Sequence, residues 1–224
     1  IQDRVRAFRK ACQTLRQGEG SLLRISALPS LGLSALPEAV AKYMAAHDEI
    51  QFDLQTLHHD EMVRKLYERE TDIVISFDVP PAAPVAHQVI GEGELVVLFR
   101  PEDFPDAPSR LHLSDLSDYA FISPIQNGPI GQLLQGELDR LGVGLRDCVF
   151  ARTYYIAAAL VRAGLGMAIV DNFTAESAVA HGLAHRPLQP ALTFNINVIH
   201  LQSRPPSRAA ADFLEMLAEV LDGP

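Results

Sequence analysis

Short apolar segments alternate with helical segments along most of this chain, and this alternation constrains its fold more than any other feature. Strand patterns at 22–27, 50–56 and 72–77 enclose helical patterns at 34–47 and 60–67. The third strand is nearly continuously apolar, as expected for a parallel sheet that is covered on both faces. The β-α-β-α-β order predicts a doubly wound α/β sheet.

The alternation resumes after residue 120 and predicts a second lobe. Its strands are expected near 121–123, 148–151 and 167–171, and its helices at 129–141, 154–163 and 174–181. Strands at 95–99 and 194–202 are expected to cross between the lobes, and a last amphipathic helix is predicted at 209–221. We therefore predict that residues 20–95 and 194–224 form lobe I and that residues 96–193 form lobe II.

Residues 1–17 have a different pattern, with apolar residues spaced like the a and d positions of a heptad repeat. Residues 1–20 carry five basic and two acidic side chains, a net of +3, whereas the whole chain has a net charge of −9. Two alternatives fit: an amphipathic helix packed on its own domain, or the end of a longer dimerising helix. The chain starts at Ile1 rather than Met, which suggests that a segment precedes it.

Composition and motifs exclude several classes of protein. A net charge of −9 makes this chain alone a poor binder of nucleic acid. No apolar run approaches the roughly 18 residues of a membrane span. Cys12 and Cys148 are too few for a disulfide framework and indicate reduced thiols in the cytoplasm. Signatures of common hydrolases, P-loops and metalloenzymes are absent.

Two local motifs are better explained by helix capping than by chemistry. Gly164-Leu165-Gly166 follows a helix and precedes a strand, which is the reverse of a dinucleotide loop, so it is interpreted as a helix C-cap. The segment from His58 to Glu61 is interpreted as a polar loop that caps the next helix, with Asp60 as a possible cap residue. No catalytic residue, metal ligand or cofactor site is predicted.

Polar residues recur where predicted strands end, which is where open α/β sheets bind ligands. Hydroxyl groups at these junctions suit a ligand carboxylate, and Asp78 and Asp171 suit a ligand cation. Each residue taken singly is also typical of a helix cap, but the recurrence in both lobes favours a ligand site. The candidate ligand-binding residues are Ser30, Leu31, Thr56, His58, Asp78, Ser123, Gln126, Gly128, Thr153, Tyr154, Asp171 and Asn172.

Several segments in order resemble the effector-binding domain of LysR-type transcriptional regulators. They are Leu23–Ser30, Leu36-Pro37, Glu70–Ile75, Leu160–Val170 and the ending Ser203–Leu217. The resemblance implies a two-lobed fold like a type 2 periplasmic binding protein, with a hinge of two crossing segments and a ligand cleft between the lobes. It implies that residues 1–19 end a linker helix, joined upstream to a winged helix-turn-helix that binds DNA.

The resemblance also implies an oligomer and a class of ligand. Effector domains of this family pair side by side, here through the helices near 35–47 and 129–141, and the full-length proteins are commonly homotetramers. Most members bind small organic anions. The stretch Ala168–Ala175 departs from the common family pattern and is similar to the branch that senses amino acids and opines, which hints at a zwitterion.

The sequence therefore predicts a cytoplasmic ligand sensor without enzymatic activity, which binds a small carboxylate and contacts DNA only through the segment upstream. Two other classes remain open at this stage. One is a periplasmic solute-binding protein of a transport system, which shares the fold. The other is an enzyme on the same fold, such as a prephenate dehydratase-like lyase, although no acid–base pair stands out among the loops.

Overall fold

A computed structural model describes residues 22–80, 83–124 and 128–223 of the chain. The predicted N-terminal helix and Gln126 lie outside these residues. Within them the strands are β1 (Leu22–Ala27), β2 (Gln51–Thr56), β3 (Ile73–Ser76), β4 (Val85–Phe99), β5 (Ala120–Pro124), β6 (Arg146–Ala151), β7 (Met167–Asp171), β8 (Ala184–Pro187) and β9 (Thr193–Leu201). The helices are α1 (Ala35–Ala46), α2 (Met62–Tyr67), α3 (Pro129–Leu141), α4 (Tyr154–Arg162), α5 (Asn172–Val179) and α6 (Arg208–Leu221).

The strands pair in the order β2-β1-β3-β9-β4-β7-β5-β6, and β8 pairs with β4 beside this path. The first half-sheet contains β2, β1 and β3, which are parallel, together with β9 and residues 85–94 of β4, which are antiparallel to each other. The second half-sheet contains residues 95–99 of β4 with β7, β8, β5 and β6. This arrangement confirms the predicted two-lobed α/β plan.

Among the described residues, two segments cross between the half-sheets. β4 crosses at Glu94 and Leu95, where its pairing changes from β9 to β7. The other crossing is the stretch between β8 and β9, where the Leu192 carbonyl accepts a hydrogen bond from the Leu95 N–H at 2.9 Å. β9 itself pairs only within the first half-sheet. The predicted strand at 194–202 therefore begins after the crossing and does not itself pass between the half-sheets.

The core is built from both faces of the two half-sheets. α1 and α6 pack against each other over the first half-sheet. There the ring of Phe213, which is fully buried, meets Tyr43 and Phe52 edge-on, with ring centroids 5.6 and 4.9 Å away. A second cluster lies between β4, β7, α4 and α5. These clusters hold the carboxyl ends of β1 and β7 in place.

Four details of the predicted elements were wrong. β4 begins at Val85 rather than Leu95, because its first half is largely exposed and polar and lacks a strand's apolar signal. The short strand β8 was missed because it is half-buried and contains two basic residues, His185 and Arg186, among only four. α5 begins at Asn172, two residues early, because Asp171 caps it. Asp60 is not the cap of α2; it lies inside a 3₁₀ turn that starts after His58.

The N-terminus of α6 offers a test of the fold that leaves the candidate site untouched. The Ser207 hydroxyl accepts a hydrogen bond from the Ala210 N–H at 3.2 Å. Replacing a serine cap with alanine typically costs about 1 kcal/mol. We expect Ser207→Ala to lower the free energy of unfolding by about that amount, measured by urea denaturation. A loss no larger than that of Ser114→Ala, on an exposed turn, would show that this cap contributes nothing.

Candidate functional site

Two of the predicted site residues meet at the boundary between the half-sheets. Ser30 lies in the turn that follows β1, and Asp171 is the last residue of β7. Their side chains lie close enough for the Ser30 hydroxyl to lower the pKa of Asp171. Ser30 is 5% exposed and Asp171 is fully buried. The adjoining 3₁₀ turn, Leu31–Leu33, contacts α5 and buries Leu31. The carboxyl ends of one strand from each half-sheet thus face each other.

The Asp171 carboxylate caps α5. One of its oxygens accepts from the Thr174 N–H at 2.9 Å, and the other accepts from the Thr174 hydroxyl at 3.0 Å. Burial raises the pKa of Asp171 to about 6, although the hydrogen bonds from Thr174 and the nearby Ser30 hydroxyl favour the ionised form. Asp171 is therefore both a helix cap and a buried acid at the boundary between the half-sheets.

Asn172 connects α5 to the crossing strand. Its side-chain Oδ1 accepts a hydrogen bond from the Glu94 N–H at 3.1 Å, and its Nδ2 donates to Glu176 at 3.3 Å. A Cβ atom on Gly93 would lie 3.0 Å from the same Oδ1. Asn172 thus occupies the predicted region, but its polar atoms are used to hold the crossing of β4 against α5.

Three aromatic residues that the sequence did not single out form a layer at this boundary. Phe77 follows β3, Phe194 belongs to β9, and Phe173 belongs to α5. The Phe77 ring centroid lies 4.5 Å from that of Phe194 and 6.1 Å from that of Phe173, on which it stacks. The sequence offers only one indication that these rings belong to the site. Phe77 directly follows a buried strand, and Phe173 is close in sequence to Asp171.

Thr153 and Tyr154 lie at the start of α4. The Thr153 hydroxyl is buried and has no hydrogen-bond partner among the residues that the structure describes. Burial raises the pKa of Tyr154 well above its ordinary value, and the nearby Asp171 carboxylate raises it further. Tyr154 is therefore the tyrosine beside Asp171, whereas Tyr155 is 48% exposed and borders a groove with Leu33 and Arg162.

The other predicted residues have local partners or lie at loop ends. Thr56 is exposed, and its methyl group would be 3.5 Å from a Cβ on Gly32. His58 is exposed, and its N–H donates to Glu61 at 3.3 Å. This bond caps the 3₁₀ turn His59–Glu61 rather than α2, which has no side-chain cap, so the predicted capping of α2 by this loop is wrong. The N–H of Asp78 donates to the Ser76 hydroxyl at 3.2 Å.

In the second half-sheet, Ser123 donates its hydroxyl hydrogen to Asp147 of the neighbouring strand β6. Gly128 precedes α3 with a φ of +122°, a conformation that favours glycine. Within 22–80, 83–124 and 128–223, no group of three His, Cys, Asp or Glu side chains is placed to hold a metal ion. None of the helices in those ranges is long and apolar enough to span a membrane.

Comparison with known proteins gives a consistent result. The family model "LysR substrate binding domain" matches residues 16–222. The HTH-type transcriptional regulator DgcR of a Pseudoalteromonas species is 32% identical over 222 residues, which cover 99% of this chain and 76% of that protein. The effector binding domain of QuiR in complex with shikimate superimposes with a TM-score of 0.75 at 16% identity, over 90% of this chain and 97% of that one. The BenM effector binding domain with its effector benzoate gives a TM-score of 0.75 at 18% identity, over 92% and 94% of the two chains.

Proposed function

The chain belongs to the LysR substrate binding domain family, and from this we propose that it senses a small carboxylate metabolite that binds between its half-sheets. The observation that carries the proposal is the packing of the Leu31–Leu33 turn, which follows β1 and Ser30, against α5, whose cap Asp171 is the last residue of β7. A ligand that binds at this boundary changes the position of one half-sheet relative to the other. Its binding free energy then favours the arrangement of the half-sheets that binds it more tightly.

The chemistry of the boundary supports a carboxylate. Ser30 and Thr153 supply hydroxyl groups, and the Thr153 hydroxyl is buried without a partner among the described residues. A buried donor without a partner costs about 1–3 kcal/mol, which a ligand oxygen would recover. The two structural relatives named above bind shikimate and benzoate, and both of those ligands are carboxylates. Amino acids and opine-like zwitterions are the first compounds to test, because Asp171 adds a negative group beside the hydroxyls.

Regulation follows if the ligand binds one arrangement of the half-sheets more tightly than the other. A coupling free energy of about 1–3 kcal/mol is typical of such systems. We propose that residues 20–95 with 194–224, and residues 96–193, are the two lobes whose arrangement shifts. The pairing of β4 with β9 before residue 95, and with β7 after it, supports this division.

The output is proposed to be DNA binding by a winged helix-turn-helix upstream of the chain, joined through residues 1–19. We further propose a homodimer of effector domains through α1 and α3, a homotetramer of the full-length protein, and a cytoplasmic location. DgcR and the Escherichia coli activator LysR, which is 25% identical over 213 residues, are transcriptional regulators rather than enzymes or transport proteins. They favour regulation over solute transport or catalysis.

Ser30 gives a direct test of the proposed site. We expect isothermal titration calorimetry with benzoate, shikimate, glutarate and the common amino acids to identify a carboxylate that binds. Ser30→Ala should weaken that binding about three- to tenfold, because one hydrogen bond is lost. Ser114→Ala, on an exposed turn, is the matched control and should bind like the wild type. If no carboxylate binds, or if Ser30→Ala leaves the affinity unchanged, the site is wrongly placed.

A further inference from the structure

A groove of about 370 Å³ opens at the end of the first half-sheet that lies opposite the candidate ligand site. β1 and β3 begin at this end and β9 finishes there, whereas Ser30 and Phe77 follow the other ends of β1 and β3. The start of α6 and the segment before it complete the lining of the groove. Pockets that hold small ligands have volumes of about 300–1,000 Å³, so this groove has room for side chains of a peptide segment.

The floor of the groove is apolar, and its walls are held in place. Leu66 and Ile73, which line it, are each 2% exposed. The buried Thr71 hydroxyl donates to the Ile73 carbonyl at 2.8 Å and lies 3.2 Å from the Arg24 carbonyl oxygen, so it links the starts of β1 and β3. Pro205-Pro206 forms another part of the lining, and the proline rings restrict the backbone there. An apolar side chain that enters this groove is therefore removed from water without rearranging the walls.

The rim of the groove carries an excess of positive charge. The Asp72 carboxylate lies 3.5 Å from the Arg24 guanidinium and 3.9 Å from that of Arg204. One acidic side chain thus faces two basic ones. The Arg204 side chain is 51% exposed and makes the longer of the two contacts, and ion pairs at exposed positions contribute little to stability. Arg204 can therefore turn to a second carboxylate at little cost, and the groove favours an occupant with an acidic side chain.

The chain immediately upstream of β1 is the occupant that these features favour. Leu22 both begins β1 and lines the groove, so the upstream chain is attached at the groove itself. Glu19 is three residues upstream, which is at most about 10 Å of extended chain, and it is the only acidic residue of segment 4–21. Leu15 is the nearest large apolar residue upstream of Leu22. A tethered segment is also present at a high effective concentration, which favours it over a separate partner.

We propose that residues 15–21 dock in this groove, with the Glu19 carboxylate on the Arg204 guanidinium and the Leu15 side chain on the apolar floor. The docked segment connects the upstream chain to β3 and α6 and fixes the direction in which that chain leaves the domain. Residues 1–14 are then left for the dimerising helix that their heptad spacing predicts. The inference shares no residue with the proposed ligand site and does not depend on it.

Thiol reactivity tests the docking in the full chain. Leu15→Cys, in a background with Cys12→Ser and Cys148→Ser, places a single thiol at the proposed contact with the floor. Its rate of alkylation by iodoacetamide is followed by mass spectrometry and compared with that of Ser114→Cys, on an exposed turn, in the same background. We expect the thiol at position 15 to react about tenfold more slowly, since a segment docked about nine-tenths of the time shields it to that extent.

Charge reversal at the rim tests the partner of Glu19. Adding Arg204→Glu should raise the alkylation rate about fivefold, because two carboxylates then face each other. Loss of a nearby positive charge would by itself make the thiol less reactive, so a faster reaction reports release of the segment. Adding Glu19→Arg as well should slow the reaction again, which distinguishes lost docking from unfolding. Arg208→Glu, in the first turn of α6 but outside the lining of the groove, is the matched control and should leave the rate unchanged.

Each other outcome overturns the inference. If the thiol at position 15 reacts as fast as that of Ser114→Cys, the segment does not dock. Protection that Arg204→Glu leaves unchanged, or that Glu19→Arg fails to restore, places the segment somewhere other than this groove. Protection that grows with protein concentration assigns the contact to a second copy of the chain. None of these measurements uses an effector, so their failure is distinct from a failure of the proposed function.

Discussion

At pH 7.5, the Asp171→Asn variant should be more stable than the wild type in the absence of ligand. The wild type must keep a fully buried carboxylate ionised at this pH, and burial raises the pKa of that group from 3.8 to about 6. A pKa difference of this size corresponds to about 3 kcal/mol. Asparagine retains the cap of α5 and has no charge to desolvate. For a chain of this length, we expect the melting temperature to rise by roughly 6–12 °C.

The gain should depend on pH in a defined direction. The folded state of the wild type binds a proton at Asp171 more tightly than the unfolded state does, because its pKa is raised. The stability that protonated Asp171 contributes is therefore complete below about pH 4 and is lost as the pH rises through about 6. Asp171→Asn lacks this dependence. Its advantage should be about 3 kcal/mol at pH 7.5 and about half as large at pH 5, measured by urea unfolding in parallel series.

The matched control is Asp106→Asn, which removes a charge from an exposed position. It should differ little from the wild type, and the difference should not change between pH 5 and pH 7.5. The opposite result, an Asp171→Asn variant less stable than the wild type at pH 7.5, would contradict the cost assigned here to burial of the ionised carboxylate. A stabilising substitution is expected at a residue whose proposed function requires an unfavourable group.

The sequence predicted those strands and helices whose apolar residues are the ones that are buried in the fold. The strand ending at Asp171 is nearly continuously apolar, and the strand ending at Ala27 is apolar at all but Arg24 and Ser26, so both were placed correctly. The alternation of strands and helices predicted the α/β plan but not the order of the strands in the sheet. The first half of β4 was missed because His87, Gln88 and Val89 are all exposed there. An exposed strand beside β9 is held by backbone hydrogen bonds, which leave no trace in side-chain periodicity.

The candidate residues could be named one by one from the sequence, but their arrangement could not. Ser30 and Asp171 were singled out because each lies where a predicted strand ends, yet their proximity depends on where β4 and the stretch before β9 cross, which no local pattern specifies. Ser123 also follows a strand, but its hydroxyl is bonded to Asp147 on the neighbouring strand. The layer of Phe77 with its two aromatic neighbours joins residues that are distant in sequence, so only the folded structure brings it together.

Gly93 offers the second large effect, because a side chain there would collide with the aromatic layer at the crossing. A Cβ atom on Gly93 would lie 2.5 Å from Cε2 and 2.6 Å from Cζ of Phe194, whereas carbon atoms in contact are about 3.5–4.0 Å apart. The Phe194 ring cannot simply retreat, since Phe77 packs against it at 4.5 Å. We expect Gly93→Ala to cost about 3 kcal/mol in the free energy of unfolding, at the upper end for overpacked sites.

Gly93→Ala should also impair the response to ligand, because the same Cβ would lie 3.0 Å from the Asn172 Oδ1, which holds the crossing of β4 against α5. Gly91→Ala is the matched control on the same strand. Its Cβ would lie 3.2 Å from Leu221, a closer contact than most but one that a small shift relieves, so its cost should stay below about 1 kcal/mol. Equal unfolding midpoints in urea for the two variants would mean that the crossing adapts freely. Ligand binding could then not move one half-sheet against the other through a rigid junction at Gly93. The proposed coupling between ligand binding and the arrangement of the half-sheets would have to depend on the stretch before β9.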